Sequence, residues 1–479
     1  MRPRAAAAGI AFGILLFGGG SRALSAGAGD GAAGLGDPFF PKAGNGGYDV
    51  RHYAVHLAYV PRTDRLRARV AIRSRATQPL RRFHLDLTGL TVTGVEVDGR
   101  RAGFHRRGGE LIVDPAPAIA AGAPFRTTVT YRGVPRPLQD PDGSLEGWIA
   151  TDDGAVAVGE PLGTQTWLPC NNYLTDKARF DFALAVPHGL KGIANGRFEG
   201  RRRRGRMDVF RWSERQPMAT YLALVSIGRM RFFGPLRAGR AIAVDPRELA
   251  RSRPALRRLD EIIRFESKLF GPYPFTARGA VVEHAPRLGY ALETQTRPVF
   301  DRAPGRTLLV HELSHQWFGD SVSLRRWPDI WLNEGFATFA ELIYAERHGG
   351  SSARRVFRRL LREPARSPIW HPPPGRPPGP SKLFADSVYI RGAMTLEALR
   401  LKIGSRSLFG ILRAWARDHR YGNATTAQFI ALAEQRSGRQ LDAFFRRWLF
   451  DPRKPRAVRA ARPNGRAPAP APSRLALRR

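Results

Sequence analysis

The chain has 479 residues, 43% of them hydrophobic, and this composition excludes a wholly disordered protein while allowing two or three domains with large cores. Its formal net charge is +37, because 78 Lys and Arg outnumber 41 Asp and Glu. These basic residues are spread over nearly every segment instead of forming a stripe with aromatic residues between, so we favour a solvated arginine-rich surface and expect no specific nucleic-acid partner.

Residues 1–28 are predicted to be a signal peptide. Two arginines precede an apolar run, Ala5–Phe17, and Ala26-Gly27-Ala28 offers a small-x-small cleavage site. The run is short for a bilayer span, although an uncleaved membrane anchor is the alternative. We therefore expect a secreted or periplasmic protein with no transmembrane span after cleavage. Cys170 is the one cysteine, so an internal disulfide is excluded.

The next segments are predicted to be β-rich. Residues 29–47 contain many glycines and are predicted to be a flexible lead-in. Residues 48–240 are predicted to form an antiparallel β domain, because Tyr53–Tyr59 and Arg67–Arg73 alternate between apolar and polar residues with period two. A further alternating run ends at Asp98-Gly99, which is a hairpin signal.

Residues 241–455 are predicted to be a mainly helical domain. Ala255–Phe270 has apolar residues at helical spacing, and the proline-rich stretch His371–Pro380 must be a loop between helices. Residues 456–479 form a basic tail rich in proline and alanine and are predicted to be disordered. The expected fold class is therefore α+β and multidomain, with an N-terminal β domain followed by a helical domain.

His311-Glu-Leu-Ser-His315 is an H-E-x-x-H motif, whose two histidines share one face when the segment is helical. Two imidazoles so placed bind one Zn²⁺, and Glu312 lies beside them where it can activate water. Glu334 is the predicted third ligand, in the first turn of a helix beginning near residue 333. Glu341 lies two turns further along and is predicted to orient a ligand histidine, although a solvated carboxylate is the alternative.

The alternatives to a catalytic zinc are a structural zinc and an accidental match. Structural zinc sites favour cysteine ligands, and Cys170 is the one thiol, so we favour catalysis. The ligand types favour zinc, and cobalt and manganese are the alternatives that the sequence leaves open. The prediction is one Zn²⁺ per chain.

At these motifs the sequence resembles the aminopeptidase N family of gluzincins. The resemblance rests on five segments, which are His311–Asp320, Trp331–Ala337, Phe270–Phe275, Val388–Ala393 and Trp167–Asn171. It implies a thermolysin-like catalytic domain and a zinc aminopeptidase that acts on peptides with a free N-terminus. Many family members carry a long C-terminal helical domain, whereas this sequence ends soon after residue 450, so we expect a more open cleft.

The resemblance also implies roles for three residues outside the metal motif. Tyr389 would stabilise the oxyanion, although the residue type alone fits a core aromatic as well. Glu293 would bind the substrate amine, in a segment where Tyr290–Thr294 replaces the Gly, Met and Asn of the family motif. Glu160 matches a second amine-binding acid by its offset, although an ordinary loop carboxylate is the alternative.

Two other functions stay open on the sequence alone. A zinc endopeptidase shares the same chemistry but lacks an acidic pair for the amine. A non-catalytic basic envelope protein would bind polyanions and keep a vestigial site. The sequence leaves the preferred N-terminal residue, the physiological substrate and the oligomeric state open.

Overall fold

The structure is a computed structural model that describes residues 29–456. The predicted signal peptide and the tail beyond Arg456 lie outside the described residues. A β-rich N-terminal region is followed by a mainly helical region, which confirms the expected α+β fold class. Among the described helices, none combines the length and the apolarity that a bilayer crossing requires.

The strands fall mostly before residue 245. In chain order they are β1 Tyr48–Val60, β2 Arg65–Ala76, β3 Phe83–Asp86, β4 Thr91–Val97, β5 Arg100–Arg101, β6 Gly103–Arg107, β7 Glu110–Asp114, β8 Pro124–Gly133, β9 Leu138–Gln139, β10 Leu145–Ala150, β11 Ala155–Val158, β12 Ala178–Pro187, β13 Lys191–Ala194, β14 Arg197–Arg204, β15 Met207–Met218, β16 Val225–Gly228, β17 Arg231–Phe233, β18 Arg240–Val244, β19 Arg278–Val282, β20 Ala291–Leu292, β21 Val299–Phe300, β22 Ser323–Leu324 and β23 Asn423–Ala424.

The α-helices begin after residue 248. They are α1 Leu249–Leu256, α2 Leu259–Phe270, α3 Arg306–Ser314, α4 Trp331–Arg347, α5 Ala353–Leu360, α6 Asp386–Ile403, α7 Ser405–Asp418, α8 Thr426–Ser437 and α9 Asp442–Phe445.

The largest sheet has eight strands in the order β14-β15-β12-β1-β2-β8-β4-β5. Its pairs are antiparallel except one, because β1 and β12 run parallel with Tyr53 opposite Phe180. The expectation of a purely antiparallel domain is therefore wrong at this pair. The reason is that period-two alternation reports which face of a strand is buried and does not report the direction of its neighbour.

Three smaller sheets complete most of the β structure. Their orders are β13-β16-β11-β10-β9, β3-β7-β6 and β17-β18-β19-β21-β20. The last of these joins β17 and β18 to three strands of the following region, and β18 pairs in parallel with β19. The predicted boundary after residue 240 thus falls at the start of β18, inside a sheet that both regions share.

Residues 29–47 are not a flexible lead-in, which corrects the expectation from their glycine content. The Asp37 carboxylate accepts hydrogen bonds from the Trp327 backbone N–H at 3.0 Å and from the Tyr173 hydroxyl at 2.9 Å. Phe40 is buried against the Trp327 ring, and the Asn45 N–H donates to the Asn171 side chain at 2.6 Å. These contacts offset the large conformational entropy that glycines lose on folding.

A lysine of the β region holds the turn that follows the metal motif. Lys177 lies just before β12, and its Nζ donates to the backbone carbonyls of Asp320 at 2.9 Å, Ser321 at 3.1 Å and Gly422 at 3.0 Å. One hydrophobic cluster also runs through both regions, from Phe40 to Leu449. The two regions therefore share a core.

Helices α4 and α6 cross at a pair of glycines. A Cβ built on Gly335 of α4 would lie 2.9 Å from the Cα and carbonyl carbon of Gly392 in α6, so only glycine permits this approach. Helix α4 carries Glu334 and α6 carries Tyr389. The close crossing therefore brings a predicted metal ligand and a predicted catalytic residue to the same place.

Candidate metal centre and active-site cleft

The structure brings His311, His315 and Glu334 together at the junction of two helices. His311 lies in the last turn of α3, His315 caps its C-terminal end, and Glu334 lies in the first turn of α4. The Oε2 atom of Glu334 is 3.1 Å from Nε2 of His311 and 3.5 Å from Nε2 of His315. All three side chains are buried.

These separations fit a divalent metal. Tetrahedral ligands at about 2.0–2.2 Å from zinc lie about 3.3–3.6 Å apart, which is close to the two observed distances. The donor set of two imidazole nitrogens and one carboxylate oxygen is the one that leaves a fourth position open in catalytic zinc sites. The three predicted ligands therefore satisfy the geometric requirement for a zinc site.

Hydrogen bonds at Nδ1 orient both imidazoles. The Nδ1 atom of His311 lies 2.6 Å from Oε1 of Glu341, and Nδ1 of His315 lies 3.0 Å from the carbonyl oxygen of Phe318. Each Nδ1 therefore carries the proton, and each Nε2 is left as a metal donor. The Glu341 contact was predicted from its spacing. The Phe318 contact was missed because a backbone carbonyl carries no residue-type signal.

The ligands also stabilise each other electrostatically. Burial raises the pKa of Glu334, but the adjacent His315 and His311 outweigh burial and bring this pKa to about 2. Burial lowers the pKa of His315, but Glu334 and Glu293 outweigh it and raise the value to about 9. The carboxylates thus create a strongly negative potential around the imidazoles, which suits a site for a cation.

Glu312 is buried next to the three candidate metal ligands and is not itself one of them. One of its carboxylate oxygens lies within 4.8 Å of ligand atoms of His315 and Glu293. Burial raises the pKa of Glu312 to about 8, while the two histidines of the motif act in the opposite direction. A carboxyl group with a pKa near neutrality can both accept and release a proton, as a general base must.

Tyr389 faces the metal centre from the neighbouring helix. It lies in the first turns of α6, and its ring centroid is 6.0 Å from that of His311 with an interplanar angle of 24°. Burial raises the pKa of Tyr389 well above its ordinary value, so the hydroxyl stays protonated and can donate a hydrogen bond.

Glu160 and Glu293 lie in the same cleft, close to Glu334. Glu160 follows β11 and Glu293 follows β20, and carboxylate oxygens of both lie within 4.8 Å of one another and of Glu334. Among the described residues, Oε1 of Glu160 and Oε1 of Glu293 are buried without a hydrogen-bond partner. Buried polar atoms are normally hydrogen-bonded, so these two oxygens indicate a place for a donor from a ligand.

A cleft of about 740 Å³ contains all of the predicted site residues. Its lining also includes Asp142, Ser144 and Tyr290, for which no sequence motif indicates a role. Asp142 and Ser144 belong to a Pro-Asp-Gly-Ser segment, whose composition is that of any surface turn. No sequence signal short of the fold could have placed this turn at the cleft.

A family model described as the Peptidase family M1 domain matches residues 291–448. The chain is 25% identical over 398 residues to the probable aminopeptidase 2 of Sulfurisphaera tokodaii, covering 76% of this chain and 49% of that protein. It is also 25% identical over 324 residues to the leucyl aminopeptidase of Saccharolobus solfataricus, covering 62% of this chain and 41% of that protein. The chain thus spans about half the length of these relatives, or less.

A solved structure matches over a larger share. The M1 zinc metallopeptidase from Deinococcus radiodurans superposes with a TM-score of 0.81 at 28% identity, covering 89% of this chain and 100% of that chain. Another solved chain, described as a two-domain M1 zinc metallopeptidase, matches with a TM-score of 0.80 at 29% identity, covering 88% of this chain and 99% of that chain. With the motifs and the fold, these matches support the aminopeptidase N family of gluzincins, and residues 291–448 are the part of the chain that matches the M1 peptidase domain.

Proposed function

We propose that this protein is a zinc-dependent aminopeptidase that hydrolyses the N-terminal peptide bond of peptides. One observation carries the proposal. The three-donor site of His311, His315 and Glu334 shares a cleft with two buried carboxylates, Glu160 and Glu293, whose free oxygens suit a substrate ammonium group. The metal site supplies hydrolysis, and the acidic pair restricts it to the chain end.

We assign His311, His315 and Glu334 as the zinc ligands and Glu341 as the residue that orients His311. A zinc ion held by this set would polarise a carbonyl group and acidify water. Glu341 fixes the ring of His311 through Nδ1, so that Nε2 points to the position shared with the other two donors.

Glu312 is assigned as the general base and then the general acid. It takes a proton from the attacking water and returns it to the leaving amine nitrogen. Tyr389 is assigned as a hydrogen-bond donor to the oxyanion, because its side chain lines the cleft, its ring lies beside that of His311, and its hydroxyl stays protonated. A single donor of this kind contributes about 2.7–4 kcal/mol to the transition state in well-studied cases.

Glu293 and Glu160 are assigned to the α-ammonium group of the substrate. Gln316 holds the backbone of Glu293 through a 3.0 Å hydrogen bond from its Nε2 to the Glu293 carbonyl. Two fixed carboxylates beside the metal ligands define one position for a cationic amine. A peptide bound there presents its first peptide bond to Glu312 and the metal ligands, which favours an aminopeptidase over an endopeptidase.

The test is a panel of fluorogenic aminoacyl substrates, assayed with and without a chelator. We expect a chelator to abolish turnover, zinc to restore it, and Glu312→Gln to retain one zinc per chain while losing at least about a hundredfold in kcat. Glu261→Gln, which removes a partly exposed carboxylate on α2, is the matched control and should keep its activity. Turnover of Glu312→Gln at the wild-type rate would remove Glu312 from the mechanism.

A second comparison separates the aminopeptidase from the endopeptidase. Wild-type protein should cleave a free peptide and leave its N-acetylated form intact, whereas Glu293→Gln should lose this discrimination by raising KM for the free peptide. Cleavage of internal bonds in an N-blocked, internally quenched peptide would favour the endopeptidase instead.

We also propose that the protein acts outside the cytoplasm, as a secreted or periplasmic protein. The support is the sequence of residues 1–28, which lie outside the described residues. Its partners are then peptides with a free N-terminus, with no specific nucleic acid among them. N-terminal sequencing of mature protein from fractionated cells checks the location, since cleavage after Ala28 leaves Gly29 as the first residue.

A further inference from the structure

The cleft is acidic although the protein is strongly basic. Its lining contains the carboxylic acids Asp142, Glu160, Glu293, Asp301, Glu312, Glu334 and Glu341. Arg302 is the arginine of this lining, and its charge is neutralised by Asp301, which it contacts through Nε at 2.8 Å and a terminal nitrogen at 2.6 Å. The metal, the proton transfer and the substrate amine account for five of these acids. Asp142 has no role in that scheme.

Asp142 is held in a defined position at the mouth of the cleft. Its Oδ1 accepts hydrogen bonds from the Ser144 backbone N–H at 2.8 Å and from the Ser144 hydroxyl at 2.6 Å. The Tyr290 hydroxyl donates to the Leu145 carbonyl at 2.9 Å and ties this turn to the segment that carries Glu293. The turn is therefore fixed relative to the site assigned to the substrate amine.

Tyr290 lies between the amine site and Asp142. Tyr290, Glu160 and Asp142 all line this cleft. Burial raises the pKa of Tyr290, and the charges of Glu146, Glu160, Asp140 and Asp142 act in the same direction. The ring lines the cleft with Asp142 and Ser144. A side chain that starts at the substrate's first Cα, next to Glu160, can therefore run along Tyr290 toward Asp142.

Two other acids of the same turn are buried behind the cleft. Burial raises the pKa of Asp140 to about 7 and that of Glu146 to about 8. Glu146 is occupied by the backbone N–H groups of Leu162 and Gly163, at 2.8 Å and 2.7 Å. Asp142, by contrast, is exposed to solvent at the cleft, so it is the acid of this turn that a bound side chain can reach.

We propose that Asp142, with Tyr290 and Ser144, forms a subsite for a basic side chain, so that the enzyme prefers substrates with N-terminal arginine or lysine. This inference rests on the proposed aminopeptidase function. A guanidinium group pairs with the Oδ2 of Asp142 in a charge-assisted contact, and the Tyr290 ring supports the aliphatic stem of the side chain. The unpartnered oxygens of Glu160 and Glu293 in the same cleft then bind the α-ammonium group of the same residue.

The experiment compares kcat/KM for Arg-, Lys-, Leu- and Ala-aminomethylcoumarin in wild-type protein and Asp142→Asn. We expect wild-type protein to prefer the two basic substrates, and Asp142→Asn to lower kcat/KM for them about five- to tenfold while changing Leu and Ala less than about twofold. The wild-type preference should also weaken as salt rises, because Asp142 is exposed and its charge is screened.

Glu199→Gln is the matched control, since it removes one exposed carboxylate of the β region away from the cleft. It should leave the ratio of Arg to Leu turnover unchanged. An unchanged ratio in Asp142→Asn would overturn the subsite, and turnover of the Leu substrate reports that the variant is folded. Failure of every substrate in wild-type protein would instead overturn the proposed aminopeptidase function.

Discussion

His311 has a carboxylate at each of its ring nitrogens. Glu334 lies 3.1 Å from Nε2 and Glu341 lies 2.6 Å from Nδ1. Only one of the two carboxylates can share a metal with the imidazole, and the other fixes the tautomer and the plane of the ring. The affinity for zinc therefore depends on a residue that does not bind the metal.

The contribution of Glu341 to zinc affinity can be measured directly. Glu341→Ala should raise the Kd for zinc about 10- to 100-fold, because the ring of His311 loses its orienting partner. Chelator competition measures the change, and Glu261→Ala on the surface of α2 serves as the control. Wild-type zinc affinity in Glu341→Ala would show that the 2.6 Å contact does not orient the ligand.

At the scale of elements, the crossing of α4 and α6 sets the distance between Glu334 and Tyr389. Gly335→Ala would place a methyl group 2.9 Å from Gly392, so the helices must move apart. We expect a loss of about 1–3 kcal/mol in the free energy of unfolding. We also expect a fall of about tenfold or more in kcat, because Tyr389 moves away from the metal ligands.

Gly410 provides the matched control for this prediction. It is also a helical glycine, in α7, but a Cβ there meets no other atom within 4 Å. Gly410→Ala should therefore leave kcat unchanged and raise the free energy of unfolding by about 0.5–1 kcal/mol. Urea denaturation and steady-state kinetics on both variants measure the two effects. Equal behaviour of the two variants would contradict a role for the crossing.

The same elements show why the site could be predicted and its surroundings could not. His311 and His315 are one helical turn apart, so spacing alone places them on one face, and Glu334 follows on the next helix. Glu341 is two turns from Glu334, which again is a local relation. By contrast, Asp142 reaches the cleft through tertiary packing, a property that local patterns do not encode.

For the fold, too, local elements could be predicted from the sequence and contacts between distant residues could not. Alternation in Arg67–Arg73 reports a strand with one buried face, and the structure places it in β2. The parallel neighbour of β1 and the packing of residues 29–47 depend on distant partners. Asp37 binds the Trp327 backbone across 290 residues, and nothing in the glycine-rich sequence around Asp37 indicates this contact.

At the scale of the whole molecule, many buried carboxylic acids make stability depend on pH. Burial raises the pKa of Asp86 and Glu214 to about 7, and that of Asp176 and Glu283 to about 8. The unfolded chain releases these protons near pH 4. Their contribution to stability is therefore complete below about pH 4, falls steadily as pH rises above that value, and is lost once pH has passed 7 to 8.

Glu283→Gln isolates one of these groups. Glu283 is buried and accepts a hydrogen bond from the Ser226 hydroxyl at 2.5 Å, which a glutamine oxygen can also accept. Between pH 5.5 and 7.5 the variant should gain stability relative to wild type, by about 1 kcal/mol per pH unit. Urea denaturation at several pH values measures the difference. A difference that stays constant with pH would show that Glu283 does not titrate on unfolding.

The parallel pairing of β1 with β12 has a consequence for folding during synthesis on the ribosome. His52 of β1 and its contact Asp181 of β12 are 129 residues apart. At translation rates of about 5–20 residues per second, β12 is synthesised on the order of ten seconds after β1. During that time one border of the nascent hairpin β1–β2 offers free backbone groups, the kind of surface on which newly made chains aggregate unless a chaperone shields it.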